Sequence, residues 1–379
     1  MVRYSPRECG SKHFTQDTYD SLALLVATIG IFGLCSNSLV LILYYRFKTL
    51  RTPTNLLLVN ISFSDFVFSL FGVSFTFASC VSGQWIWDQK GCIFVGLCEN
   101  LLGCVSIFTL TVVAYERYSR VVFDKVIDFS WTWKAIISVW VYSMAWATAP
   151  LMEWNRYILE PHGLDCSLDR ISTEARQSSF ILLSFLACFV VPMSIMIYCY
   201  GYILWSVRML RKLQSVETGH ACRLLRYEVK VAVMCLLMIL SFLLCWMPYT
   251  VLSFLMMCGH GDIITPATAI VPCFLVKAGA ATNEITFILT SKKFRQGLLK
   301  LLWMKCLKSH MIFARRKKPV AAGVQLYNNG QNLKKRVCYT SSFSSLLTTS
   351  ETNTQSVEEV QSIYIPNVKI IHVRPLQSY

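Results

Sequence analysis

The chain has 379 residues, 54% of them hydrophobic and only 15% charged, too little charge to coat the two or three domains that a soluble chain of this length would form. An aromatic content of 13% also excludes a disordered chain, which stays open for want of apolar residues. The formal charge of +15 leaves nucleic acid or an anionic membrane face as partners, to be separated by where the basic residues sit.

Residues 1–20 are polar and hold no apolar stretch ahead of a small-residue cleavage site, so no removable signal peptide is expected. Seven long apolar segments follow, at about 21–45, 56–80, 92–115, 134–152, 178–205, 229–257 and 267–290. Each reaches or nearly reaches the roughly 20 residues that a helix needs to cross a bilayer. The fourth is the shortest and leans on Trp131, Trp133, Trp146 and Trp154, amphipathic rings suited to membrane interfaces. The expected fold is an all-α membrane protein, a seven-transmembrane helix bundle over 21–290. A short amphipathic eighth helix is expected over 291–306, with Phe294, Leu298, Leu301 and Leu302 on one side and Lys292, Lys293, Arg295 and Lys300 around it. Cys306 then stands where palmitoylation would anchor it, an idle thiol being the plain alternative. Residues 307–379 read as a disordered tail, Ser/Thr-dense from Thr340 to Ser356 and strongly anionic if phosphorylated.

With the N-terminus outside, 28 of the 36 basic residues fall on the cytoplasmic side and 7 on the outer side. The short connections alone favour the inside by 13 to 4, the bias that fixes membrane orientation. Topology thus accounts for the positive charge, and nucleic acid is not an expected partner. Most of the 16 cysteines lie in apolar runs, where they act as small hydrophobes.

Charge inside a membrane span is costly and marks function by default. Away from segment ends only Asp65, Glu99, Lys277 and Glu284 qualify. Lys277 is the eleventh residue of its 24-residue segment, too deep to reach either interface easily. It needs a carboxylate partner, deprotonation or a covalent fate. Burial favours the neutral amine, a nucleophile that condenses with aldehydes, so a Schiff base stands beside a plain ion pair.

Glu116-Arg117-Tyr118 closes the third segment, Asn37 and Asp65 stand in the first two, Pro192 and Tyr200 mark the fifth, and Cys245-Trp246-Met247-Pro248-Tyr249 lies in the sixth. This pattern resembles rhodopsin-family G-protein-coupled receptors across roughly residues 20–305. A lysine six residues before the Asn of the seventh helix, Lys277 before Asn283, is similar to the retinal attachment site of opsins. Leu50-Arg51-Thr52-Pro53, Leu57-Leu58-Val59-Asn60-Ile61-Ser62, Leu70-Phe71-Gly72-Val73-Ser74-Phe75-Thr76-Phe77 and Glu153-Trp154-Asn155-Arg156-Tyr157-Ile158-Leu159 resemble the encephalopsin and teleost multiple-tissue opsin branch.

The resemblance implies retinal, 11-cis or all-trans, on Lys277, with Trp246, Tyr249 and Phe242 in its pocket. It implies a disulfide between Cys92 and Cys166, two free thiols being the alternative. Glu116, Arg117 and Tyr118 would form the activation switch with Glu228, Tyr200, Asp65, Asn37 and Asn283, Arg117 reaching Glu228 in a latch broken when the sixth helix swings out. Glu228 as a solvated helix-end charge is the other reading. A buried cation at Lys277 needs a counterion. Val95 holds the position used by vertebrate visual opsins and cannot serve. Glu160, six residues before Cys166, fills the other position known in opsins, and Glu99, one turn below Val95, is a candidate peculiar to this chain.

The seventh segment departs from the family. Asn-Pro-x-x-Tyr is replaced by Asn283-Glu284-Ile285-Thr286-Phe287, losing the proline that kinks a helix and the tyrosine hydroxyl. Residues 1–20 also hold no N-x-Ser/Thr glycosylation acceptor. The expectation is a plasma-membrane, non-enzymatic, light-sensing receptor that activates a heterotrimeric G protein, with receptor kinase and arrestin at the Ser/Thr-rich tail, membrane lipids around the bundle and no metal. A retinal photoisomerase or store with weak signalling, or a receptor for a diffusible ligand, are the alternatives.

Overall fold

The computed structural model describes residues 14–172, 174–213, 219–259 and 264–303, without the side chains of 210–213, 219–227 and Glu284. Residues 1–13, Cys306, the tail over 307–379 and the Glu284 side chain, with the roles expected of them, lie outside the described residues.

Seven long helices run through the described residues. They are α1 (Gln16–Arg46), α2 (Pro53–Ser82), α3 (Gln89–Phe123), α4 (Phe129–Thr148), α5 (Ala175–Phe185 continuing through Val191–Leu213), α6 (Gly219–Met257) and α7 (Pro266–Thr290). Six of these segments are long and apolar enough to cross a membrane. The seventh, α7, runs 25 residues and packs along α6 and α1. The helices outrun the apolar segments at their ends because polar caps hold the first turns. Thr15, Thr52, Asp88, Asp128 and Thr265 each accept a backbone N–H with their side chains, and Pro53 and Pro266 occupy a first helical position that has no use for an N–H.

The bundle is apolar on its outside as well as in its core. Aliphatic side chains such as Leu24, Ile42, Val141, Ile197 and Leu244 point outward, as a lipid solvent permits, while polar side chains cross-link the helices inside. Asn37 Nδ2 donates to the main-chain oxygens of Gly33 (2.8 Å) and Ala280 (2.9 Å), tying α1 to α7. Asn60 donates to Thr109 and accepts from the Trp140 indole, both at 2.9 Å, joining α2, α3 and α4. Asp65 accepts from Ser106 (3.0 Å) and Asn283 (3.2 Å), joining α2, α3 and α7. Each bond satisfies a group that hydrocarbon would leave unpaired.

Two helices are interrupted by π-helical turns that hydrophobic pattern does not foretell, Ser69–Val73 in α2 and Leu186–Val190 in α5. The second precedes Pro192, whose ring crowds the carbonyl of Cys188 and denies it a donor. In α7 the helix instead passes unbroken through residues 283–287 and carries its internal proline at Pro272. Residues 292–303 are helical. Phe294 is buried against Phe287 with ring centroids 4.3 Å apart, Leu298 and Leu301 pack on the main core, and Leu302 is exposed.

Between α4 and α5 the chain forms an antiparallel hairpin, β1 (Tyr157–Leu159) and β2 (Cys166–Leu168), with Leu159 opposite Cys166. Tyr157 pins it to the bundle, donating its hydroxyl to the Ala147 oxygen at 2.8 Å and accepting from Asn100 at 3.2 Å. A disulfide joins Cys92, in the first turn of α3, to Cys166.

Candidate functional site

Lys277, on α7, is fully buried, with its ammonium 5.6 Å from the centre of the Phe68 ring. It makes two ion pairs. One is with Glu99, two turns below the disulfide on α3, and the other is with Asp165 of the hairpin, at 2.7 Å. Glu99 fits because Gly72, in the π-helical turn of α2, has no side chain; a Cβ there would lie 2.6 Å from Glu99 Oε1. Of the two sequence candidates for the partner of Lys277, Glu99 is brought to it.

Glu160 is instead paired with Arg170. The guanidinium of Arg170 also donates to Ser253 at 2.7 Å and lies 4.4 Å from the centre of the Tyr249 ring, while the Tyr249 hydroxyl donates to Glu160 at 3.2 Å and Ser167 donates to the same carboxylate. Burial alone would raise the Glu160 carboxyl, but Arg170, with His162, Ser167 and Tyr249, outweighs it and holds the group below its ordinary value. The Arg170 guanidinium is raised by the same carboxylate against the pull of burial. His162 is fully buried, and burial lowers its imidazole despite the carboxylates of Glu160 and Asp165.

Asp165 and Arg170 were not among the residues singled out by sequence. Both lie in a connection between helices, where charge is unremarkable, and only the fold carries that connection down into the bundle. The adjacency of Asp165 to Cys166 was the available signal, since a loop cysteine bonded to α3 draws its neighbours inward.

A cavity of about 170 Å³ lies between α3, α4, α5, α6 and the hairpin, lined by Trp146, Phe185, Phe189, Phe242, Trp246 and Tyr249 with Leu168 and Arg170 above. Phe242 and Trp246 stack with centroids 5.3 Å apart, and Trp246 approaches Gly103 so closely that a side chain there would collide with the indole. Lys277 does not line this cavity. Trp246 and Gly103 also line a smaller space bordered by Val276 and Ala280, which flank Lys277 in α7, and by Asp65 and Asn283.

At the opposite end of α3, Arg117 pairs with Glu116 and, at 3.1 Å, with Glu228 of α6. Thr54 of α2 accepts from Arg117 at 2.8 Å and donates to Glu116 at 3.0 Å. Arg120, which sequence reading passed over, joins at 3.6 Å from Glu228 and 3.5 Å from Glu116. Tyr118 faces α5, its ring centroid 5.8 Å from that of Tyr198. Tyr200 is buried, and its hydroxyl has no hydrogen-bond partner among the described residues.

Such an arrangement can do two kinds of chemistry. Its outer half offers an amine balanced by carboxylates and, separately lined, an aromatic apolar space. Its inner half offers a charge latch between α3 and α6, and α6 connects the two. Residues 36–283 match the family described as "7 transmembrane receptor (rhodopsin family)". Opsin-3 of Mus musculus is 46% identical over 368 residues, covering 96% of this chain and 92% of the mouse protein. Rhodopsin of Loligo forbesii is 31% identical over 293 residues, covering 74% of this chain and 65% of the squid protein. Melanopsin of Homo sapiens is 31% identical over 295 residues, 73% of this chain and 61% of the human protein. The crystal structure of squid rhodopsin superposes with a TM-score of 0.74 at 28% identity, covering 80% of this chain and 91% of that one.

Proposed function

The chain belongs to the rhodopsin family of seven-transmembrane receptors and is an opsin, a retinal-binding light-sensing receptor, and on that premise we propose that retinal is attached through Lys277. The observation that carries this is the buried Lys277 amine with two carboxylates to offset a positive charge, in a bundle whose aromatic cavity shares its Trp246 and Gly103 walls with the smaller space bordered by Val276 and Ala280 of α7. These residues fit the group: an elongated apolar aldehyde needs an amine, an apolar slot and a counter-charge. When bound, retinal supplies the light-absorbing polyene and a change of shape on illumination.

The rest belongs to the protein. Trp246, wedged between Gly103 of α3 and Gly279 of α7 and stacked on Phe242, is placed to feel a change in the cavity and to pass it to α6. Displacement of α6 carries Glu228 away from Arg117 and Arg120 and uncovers the basic inner surface to a heterotrimeric G protein. The excess of basic residues in the inner connections supports an outside N-terminus and an inside tail in the plasma membrane. On this reading residues 292–303 lie at the inner membrane surface, Cys306 beyond them is a lipidation site, and the Ser/Thr-rich tail is the site for a receptor kinase and arrestin.

Reconstitution of the full-length chain with 11-cis-retinal is expected to give a visible absorption band that Lys277→Ala abolishes. An unshifted retinal spectrum in the wild type, or full pigment in Lys277→Ala, overturns the reading. A second reading, a photoisomerase or retinal store with weak signalling, is favoured by Phe287, which sits in the core against Phe294 without a hydroxyl to offer. Pigment without light-dependent nucleotide exchange on any G protein is its signature.

A further inference from the structure

Lys277 has two carboxylates where one would balance it. Asp165 is 2% exposed and held from several sides. Its Oδ1 accepts the Cys166 N–H at 2.9 Å, its Oδ2 accepts from the Cys273 thiol at 3.1 Å and lies 2.7 Å from the Lys277 ammonium, and its main-chain oxygen accepts the Glu160 N–H at 2.8 Å. The disulfide frames both acids. Cys166 is the next residue to Asp165, and its partner Cys92 stands two helical turns above Glu99 on α3. Glu160 is not free to help, because Arg170 already occupies it.

Resting on the opsin reading above, we infer that Asp165 is a second charge partner of Lys277, sharing with Glu99 the neutralisation of its cation, so that either acid alone sustains it. A dry site makes each pairing strong, since the attraction between charges grows as the surroundings lose water. Removing one of two acids from one cation leaves a balanced pair. Removing both leaves an isolated buried cation, which gives up its proton.

The test needs no retinal. It is a double-mutant cycle on the full-length chain in detergent, read by thermal unfolding. Asp165→Asn keeps an oxygen for the Cys166 N–H and removes only the charge. Paired with Lys277, it lowers the unfolding midpoint by about 2 °C or more beyond its effect in a Lys277→Met background. Equal shifts in both backgrounds reduce Asp165 to a loop-shaping residue and overturn the inference. Asp165→Ser, which also keeps an acceptor, repeats the cycle should the Asn variant not fold. After loading with 11-cis-retinal, Glu99→Gln and Asp165→Asn each keep visible absorbance, and only E99Q/D165N moves to the near-ultraviolet at neutral pH. Near-ultraviolet absorbance in Glu99→Gln alone, or in Asp165→Asn alone, overturns the sharing. A chain that shows the excess shift in the cycle but never forms pigment contradicts the retinal reading while leaving the Asp165–Lys277 pair intact, so the two fail separately.

Discussion

At the scale of single residues, the outer loop shows how a buried charge is assigned by its neighbours rather than by its place in sequence. Glu160 and Arg170 are almost wholly enclosed, and a buried pair broken on one side leaves an uncompensated charge. Arg170→Ala is therefore expected to cost about 3–5 kcal/mol of stability, read as a lowered unfolding midpoint, whereas Glu160→Gln leaves the visible band in place because Lys277 keeps Glu99 and Asp165. Acid acts on the same loop. His162 titrates below its ordinary 6.5 in the folded chain because it is buried, so below that pH the unfolded chain binds a proton that the folded chain does not. Its contribution to stability is complete above about pH 6.5 and is lost as the pH falls from there. Glu160, also depressed, adds a second loss that begins below its ordinary 4.5. Unfolding midpoints measured from pH 8 to pH 5 should fall on the acid side, and His162→Gln should flatten that decline; an unchanged profile in the variant contradicts the assignment.

At the scale of elements, the helices were legible because membrane spans must be apolar along some 20 residues, and such runs are hard to miss. What stands between and within them was not. The β1–β2 hairpin has three residues per strand, too few to display a period, and the π-helical turn of α2 holds no proline to announce it. That turn matters at the site. It places Gly72 opposite Glu99, and the absence of a Cβ there is what admits the carboxylate. Gly72→Ala is expected to push Glu99 from Lys277 and move the pigment's absorbance in the same direction as Glu99→Gln, by no more than that variant does. An unshifted spectrum in Gly72→Ala beside a shifted one in Glu99→Gln would mean that α2 yields instead. Lys277, Glu99 and the Trp246 cluster could be read from sequence because charge and motif mark them inside a span. Asp165 could not, since its meaning depends on a loop folding inward.

At the scale of the whole molecule, the outer site and the inner latch are separated along the same helices: α6 carries Trp246 and Glu228, and α3 carries Gly103 and Arg117 against them. The latch found here is broader than a single ion pair. Glu228 is shared by Arg117 and Arg120, Arg117 is also held by Glu116 and Thr54, and Arg120 sits farther from its partners than Arg117 does. On the proposed reading these ion pairs set the balance between a closed and an open arrangement of α6, and a change of 1–3 kcal/mol in that balance alters the open population by roughly 5- to 150-fold. Glu228→Gln removes both contacts to α6 at once, so it is expected to raise nucleotide exchange by the retinal-free receptor by roughly 5-fold or more. Arg120→Ala removes the longer, more exposed contact and is expected to raise it less, since exposed pairs contribute little. Exchange assays on the two variants in the dark order these effects. If Arg120→Ala matched Glu228→Gln, the long contact rather than the short one would be what holds α6 closed, and if neither raised exchange, the inner ends of α3 and α6 would be held together by packing alone.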